Sequence, residues 1–369
     1  MTVPLLKIVF RCDASIQIGS GHVMRCLTLA NEMAQQGAEC SFICRRHHGS
    51  LIEKIQEHGY QVYPLPLESD LYIEVNNKSA LAHADWLGST QQRDAELSRS
   101  IVEQIKPNWL IVDHYSLDVI WEKRLRQYCK KLMVIDDLAD RKHDCDILLD
   151  QNFGRNPQDY YSYINKNCEL LCEPIYTLLR PEFAEWRGYS LYQRREGGNL
   201  ARVLINLGGV DKDNITTKIL KALQPNALPD QCSIVVVMGL TSPWIEVVKQ
   251  QASIMPWLTE VKVGVNNIAE LMAYSDLAIG AAGSTSWERC CLGVPTIMLI
   301  LADNQRAIAR ALEDAGAAQT FEIAMLETEP LAFGQYIEAV IPKMKEMSKA
   351  ASAITDGFGV SRVSKALIK

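Results

Sequence analysis

The sequence predicts an α/β protein built from two doubly wound, Rossmann-like domains that face each other across a cleft. Near-continuous apolar runs recur along the chain, separated by helical patterns, and such runs suit strands buried on both faces of a parallel sheet. The alternation lapses from about residue 175 to residue 200 and then restarts. Each half opens with a strand that enters a glycine-containing loop and a helix, as doubly wound α/β domains do. A chain of 369 residues, 48% of them hydrophobic, suits two cores better than one.

In the first half the strand-like runs are "KIVFRCD", "CSFICR", "YQVYPLP", "WLIVDHY", "LMVIDDL" and "ILLDQN". Between them, "HVMRCLTLANEMAQQG" and "LSRSIVEQIKP" space apolar residues three and four apart and stop at Gly37 and Pro107, as helices do. Residues 66–92 are polar and irregular and read as a surface insertion. The stretch 179–200 carries Pro181 and ends in charged and glycine residues, so it reads as a linker. The second half then brings "ARVLINLGG", "CSIVVVMG", "TEVKVGV", "DLAIGAAG" and "PTIMLIL" as strands. The expected division is 1–178, a linker at 179–200, 201–345, and a carboxyl-terminal helical segment, 346–369, that packs back on the first domain.

Composition narrows the function classes. Lys plus Arg is 38 and Asp plus Glu is 44, a net charge of −6, which offers no general attraction for nucleic acid or an anionic membrane. The eleven cysteines form no CxxC pair, and "MTVPLLKIVF" lacks the order of a signal peptide. Reduced thiols in a cytoplasmic protein are the expectation. The apolar runs are too short to span a membrane.

In open α/β sheets ligands sit beyond the carboxyl ends of the strands, so the loops there are the candidates. The first is Gly19-Ser20-Gly21-His22. It is not GxGxxG, and no acid ends the second strand, which argues against a dinucleotide. Its glycines allow close backbone approach, and His22 falls in the first turn of a helix. The positive helix end disfavours an imidazolium there, which suits a general base. Asp13, at the strand end, is placed to accept the other ring N–H. Capping or packing by His22 is an equal reading of the spacing.

The second loop, Gly208-Gly209 before "DKDNITTKIL", suits a diphosphate held by backbone N–H groups, or simply a tight turn. The third, Gly283-Ser284-Thr285, starts a helix after a strand, with Glu288 one turn on. A carboxylate there can accept both hydroxyls of a ribose, or merely favour the helix N-terminus. Asp113, His114 and Tyr115 end another strand and are candidates to line the cleft. Asp136, Asp137 and His143 lack metal-ligand spacing and read as solvated loop ends. No metal and no cofactor is expected. The absence of Gly-x-Ser-x-Gly and of a P-loop counts against an acyl hydrolase or an NTPase.

At these residues the chain resembles a known family. "DASIQIGSGHVMRCLTLA", "VIDDLADRKHDCDILLDQN", "LLRPEF" and "GSTSWERCCLGVP" are similar to the UDP-2,4-diacetamido-2,4,6-trideoxy-β-L-altropyranose hydrolases of pseudaminic acid biosynthesis. The likeness runs in order from about residue 7 to residue 310. It implies the GT-B architecture of nucleotide-sugar glycosyltransferases, with UDP on the second domain and the sugar facing the first. It implies that His22 is the catalytic histidine, Glu288 and Asn304 contact the nucleotide, and Tyr115 lines the sugar site. Ala282 stands where the family pattern has a glycine. The implied reaction is attack of water on the anomeric carbon with inversion and departure of UDP. The expected partner is this small UDP-sugar, with no nucleic acid and no membrane. Oligomeric state is not set by the sequence, and a monomer is the default expectation. A glycosyltransferase using a UDP-amino-sugar donor and a non-catalytic nucleotide-sugar binding protein are the alternatives.

Overall fold

A computed structural model describes residues 5–68, 81–195 and 200–369, without the side chains of Asn304 and Pro330. The chain divides into two compact units, residues 1–178 with 359–369 and residues 179–358.

The first unit carries a seven-stranded sheet in the order β3-β2-β1-β4-β5-β6-β7. Its strands are β1 Lys7–Cys12, β2 Glu39–Arg45, β3 Gln61–Leu65, β4 Trp109–Asp113, β5 Lys131–Ile135, β6 Ile147–Asp150 and β7 Glu169–Cys172. The second carries a six-stranded sheet, β10-β9-β8-β11-β12-β13. Here β8 is Arg202–Asn206, β9 Ser233–Met238, β10 Leu258–Val263, β11 Leu277–Ala281, β12 Thr296–Leu299 and β13 Ala318–Phe321. The pairings in both sheets are parallel, so most connections cross over through helices, whereas β5 runs to β6 through residues 136–146 without one and β6 to β7 through the short turn Pro157–Tyr160.

Alternation along β1 and β4 sorts side chains between two layers. On one face Phe10, Cys12 and Ile111 pack with Val23, Cys26 and Leu27 of the helix Gly21–Gln35. On the other, Val9, Leu110 and Val112 pack with Val102 of the helix Gln91–Ile105 and with Trp121. This parity decides which acids can meet His22.

Three expectations change. Residues 179–200 are not simply a linker: Pro181–Gln193 is a helix of the second unit, begun by the proline at its first position, where the missing N–H costs nothing. Ser190 Oγ donates to the Leu292 carbonyl at 2.6 Å, and Arg187 donates to the Ser352 carbonyl at 2.7 Å. The segment 346–369 does not pack as one piece. The helix Met344–Ser352 belongs to the second unit, and only Gly359–Ile368 joins the first, through Val360, Val363 and Leu367. Strands β7 and β13 were not legible, because "ELLC" and "AQTF" are short and carry polar residues at the sheet edge.

Gly359 is required where that last helix starts, since a Cβ there would lie 2.2 Å from the Thr177 carbonyl oxygen and 2.4 Å from its nitrogen. Gly359→Ala is expected to destabilise the first unit by about 1–3 kcal/mol in urea unfolding. Gly188→Ala, mid-helix with nothing within 4 Å of the new methyl, should instead stabilise the second unit by about 0.5–1 kcal/mol.

Candidate active site

In each sheet the strand order reverses beside the unit's first strand: β1 lies between β2 and β4, and β8 between β9 and β11. Loops leaving such neighbours diverge, and ligands of open α/β sheets sit there. All three glycine loops read from the sequence leave β1, β8 or β11.

After β1, Ser15 and Gly19 close a tight loop in which the Gly19 N–H donates to the Ser15 carbonyl at 2.8 Å. Gly19 has a φ of +82°, a left-handed conformation that favours glycine. Gly21 begins the helix and His22 is its second residue. His22 Nδ1 lies 2.6 Å from Asp113 Oδ1 at the end of β4. A buried carboxylate only accepts, so Nδ1 carries the proton and Nε2 is the basic nitrogen. Arg25, one turn after His22, grips the same carboxylate with Nε and Nη2 at 2.6 and 2.7 Å and reaches Asp137 at 2.6 Å. The Tyr115 hydroxyl donates to Asp137 at 2.6 Å, and its ring meets the His22 ring edge-on at 4.6 Å between centroids. Arg25 holds the Asp113 carboxyl well below the usual carboxylate range against the opposing cost of its burial, and His22 adds to that.

Asp13 does not play the role expected of it. It is fully buried on the opposite face of the sheet, 2.7 Å from Arg11, and it accepts the Arg45 N–H at 2.6 Å. His114 Nε2 lies 3.2 Å from it. The reason is parity: Arg11, Asp13 and His114 project with the Val9 layer, whereas Asp113 and Tyr115 project toward the helix that carries His22. In the apolar runs "FRCD" and "LIVDHY" both faces are buried, so nothing in the sequence says which acid the helix covers. The 136–143 cluster is also not a set of solvated loop ends. Asp136 pairs with Arg141 at 2.7 Å and His143 with Glu122 at 2.6 Å, both out of solvent. Arg25, which the sequence reading passed over, stood in plain view at i+3 from His22 on the same helical face.

In the second unit the two phosphate-type loops differ. Gly208 has a φ of +88°, which favours glycine, and the loop's backbone passes so close to Gly239 that a Cβ there would lie 2.1 Å from the Gly209 carbonyl oxygen. The helix end behind them, Ile215–Ala222, is already taken. Asp211 accepts the N–H groups of Ile215 and Thr216 at 2.8 and 3.0 Å. By contrast, among the described residues no side chain caps the helix Thr285–Leu292, whose Ser284 is exposed. The cation of Arg289 runs beneath this loop, buried, donating to the Ala281 carbonyl at 2.7 Å and to Thr285 Oγ1 at 3.1 Å. An open N-terminus above a buried cation is a place for an anion. Ala282 lies outside the left-handed region, so its methyl brings no backbone strain. Glu288 is 19% exposed and 3.9 Å from Arg180. Burial pushes its carboxyl up to about 7, against the pull of Arg180 and Arg289. The backbone of Asn304 lies in the short turn Asp303–Gln305, and its side chain falls outside the described residues. Among the described residues no group of three or more His, Cys, Asp or Glu is arranged to hold a metal, and no helix is long and apolar enough to cross a membrane.

Residues 219–362 match the glycosyltransferase family 28 C-terminal domain. The chain is 28% identical over 314 residues to the UDP-2,4-diacetamido-2,4,6-trideoxy-beta-L-altropyranose hydrolase of Campylobacter jejuni, covering 84% of this chain and 97% of that one. It is 26% identical over 306 residues to the uncharacterized protein MJ1062 of Methanocaldococcus jannaschii, covering 82% of this chain but only 57% of that longer protein. The crystal structure of Acinetobacter baumannii MurG superposes with a TM-score of 0.69 at 16% identity, over 99% of both chains. The fold is thus that of the GT-B glycosyltransferases, two Rossmann-like α/β domains, and the chain is a relative of the altropyranose hydrolase over most of its length.

Glu288 makes a stability prediction. Folded, its carboxyl keeps its proton up to about pH 7, whereas the unfolded chain releases it near 4.5. The folded state therefore binds more protons in that window, and stability falls as pH rises through it. Glu288→Gln should match the wild type in urea unfolding below pH 4.5 and exceed it above pH 7, by up to about 3 kcal/mol.

Proposed function

We propose, from this kinship with a UDP-sugar hydrolase, that the protein cleaves UDP from a UDP-2,4-diacetamido-2,4,6-trideoxyhexose at the anomeric C–O bond. The reaction inverts the anomeric centre, needs no metal and belongs to pseudaminic acid biosynthesis. The observation that carries this reading is the His22–Asp113 pair at the switch point of the first unit. Asp113 fixes the tautomer, which leaves Nε2 free to take a proton from water. The water oxygen bonds to the anomeric carbon as the bond from that carbon to the UDP oxygen breaks. The electron pair leaves with UDP, and the proton on His22 passes to solvent. Asp113 favours the imidazolium formed in that step, and the 2.6 Å Arg25–Asp113 bond keeps the carboxylate ionised and aimed.

UDP is assigned to the second unit. The uncapped N-terminus at Gly283, Ser284 and Thr285 favours the departing diphosphate through backbone N–H groups. Glu288 takes the ribose hydroxyls, and Asn304 is kept as a nucleotide-side residue. Gly208 and Gly209 shape the neighbouring loop and do not supply a helix end. Tyr115, beside His22, faces the sugar. Eleven free cysteines suit a reducing cytoplasm. Transfer of the sugar to an acceptor hydroxyl is the second reading, favoured by the family 28 match and the MurG-like fold.

Incubation with the UDP-diacetamido-sugar, chelator present and acceptor absent, is expected to release stoichiometric UDP and free sugar of inverted configuration by NMR. No release without an acceptor would favour the transferase, and loss of activity with chelator would overturn the metal-free mechanism. His22→Asn and Asp113→Asn should each lower kcat by about 10²–10⁴ while the Kd for UDP, measured by calorimetry, stays within twofold. Undiminished turnover in His22→Asn removes the histidine from the mechanism.

A further inference from the structure

The segment after residue 80 has no role in the reading above, yet it delivers two aromatic rings to the site. In the short helical turn Ala84–Leu87 and the residue before it, His83 and Trp86 lie 4.3 Å apart between ring centroids. Trp86 stacks along Tyr115 at 5.8 Å and 26°, and His83 lies 5.4 Å from the same tyrosine. Tyr115 in turn meets His22. The Ser116 hydroxyl donates to the His83 carbonyl, which ties this turn to the end of β4. Both rings are partly exposed, so they are not core. Among the described residues neither the Trp86 indole N–H nor a His83 ring nitrogen has a hydrogen-bond partner, whereas the Tyr115 hydroxyl is spent on Asp137. Burial and the nearby Arg141 and His22 lower the His83 pKa against the pull of Asp140, which favours a neutral ring.

An aromatic wall with an indole N–H and an imidazole, neither of them partnered among the described residues, matches an acylamino group. The methyl lies on ring faces, the carbonyl accepts from an indole, and the amide N–H donates to an imidazole nitrogen. Hydroxyl-only sugars offer no methyl to such a surface. We infer that His83 and Trp86 form the wall that recognises an acetamido substituent of the sugar, and so set substrate specificity. This rests on the proposed reaction for its substrate, but its contacts are separable from catalysis.

The test compares wild type, Trp86→Phe, Trp86→Ala and His83→Gln. With the UDP-diacetamido-sugar, Trp86→Ala is expected to raise KM by about 10- to 100-fold with kcat within about threefold and the Kd for UDP unchanged. Trp86→Phe, which keeps a ring and loses the N–H, should fall between, and it carries the test together with His83→Gln if the alanine variant does not fold. By NMR, an acetyl methyl of the bound sugar should show an upfield ring-current shift in wild type that Trp86→Ala abolishes. Variants whose kcat/KM stays within twofold of wild type, or an unshifted acetyl methyl, would overturn the inference. A wild type that shifts the methyl without releasing UDP would sink the hydrolase reading and leave the wall standing.

Discussion

The Asp113 carboxylate is the constraint on which the candidate site depends. One oxygen accepts from His22 and Arg25 and the other from Arg25, all at 2.6–2.7 Å and out of solvent, and the Cys26 thiol adds a longer contact at 3.5 Å to the second oxygen. A buried carboxylate is costly unless its oxygens are filled, and a buried arginine is costly unless it is paired. Each group here answers the other's need, and the surplus hydrogen bond goes to the histidine. The register of the sheet makes this possible. Asp113 is paired with Cys12, the last residue of β1, so the acid sits level with the start of the loop that returns as the His22 helix.

The opposite face of the same sheet holds a second charge network, Arg11, Asp13, Asp94 and Arg45. Asp94 takes Arg11 at 2.7 Å, Arg45 at 2.6 Å and the Trp121 indole N–H at 2.9 Å. All four charged groups are fully buried. They lie on the far side of the strands from His22, so their part is to fix the register of β1 and β2 against the helix Gln91–Ile105. Two acids at the ends of neighbouring strands, Asp113 the last residue of β4 and Asp13 one past β1, thus take different duties because alternation points them to different layers.

The second unit makes a similar distinction between two loops that look alike. A helix N-terminus has unsatisfied N–H groups whatever its sequence. Asp211 fills one such end from within, and the end at Thr285 is left open with an arginine beneath it. Which glycine loop is free for an anion is therefore a question about a side chain two residues away, not about the glycines.

The central strand runs, the two α/β halves, the helix that carries His22 and the motifs shared with the hydrolase are legible in the residues, because hydrophobic periodicity and glycine placement are local properties. What the tertiary structure alone decided is pairing: Asp113 and not Asp13 on His22, Asp211 on its own helix, a helix where a linker was expected, and His83 and Trp86 brought beside Tyr115. Each of these joins groups on different elements, and in strands buried on both faces the sequence carries no mark of which face is which. Only the packing of a particular helix on a particular side breaks that symmetry.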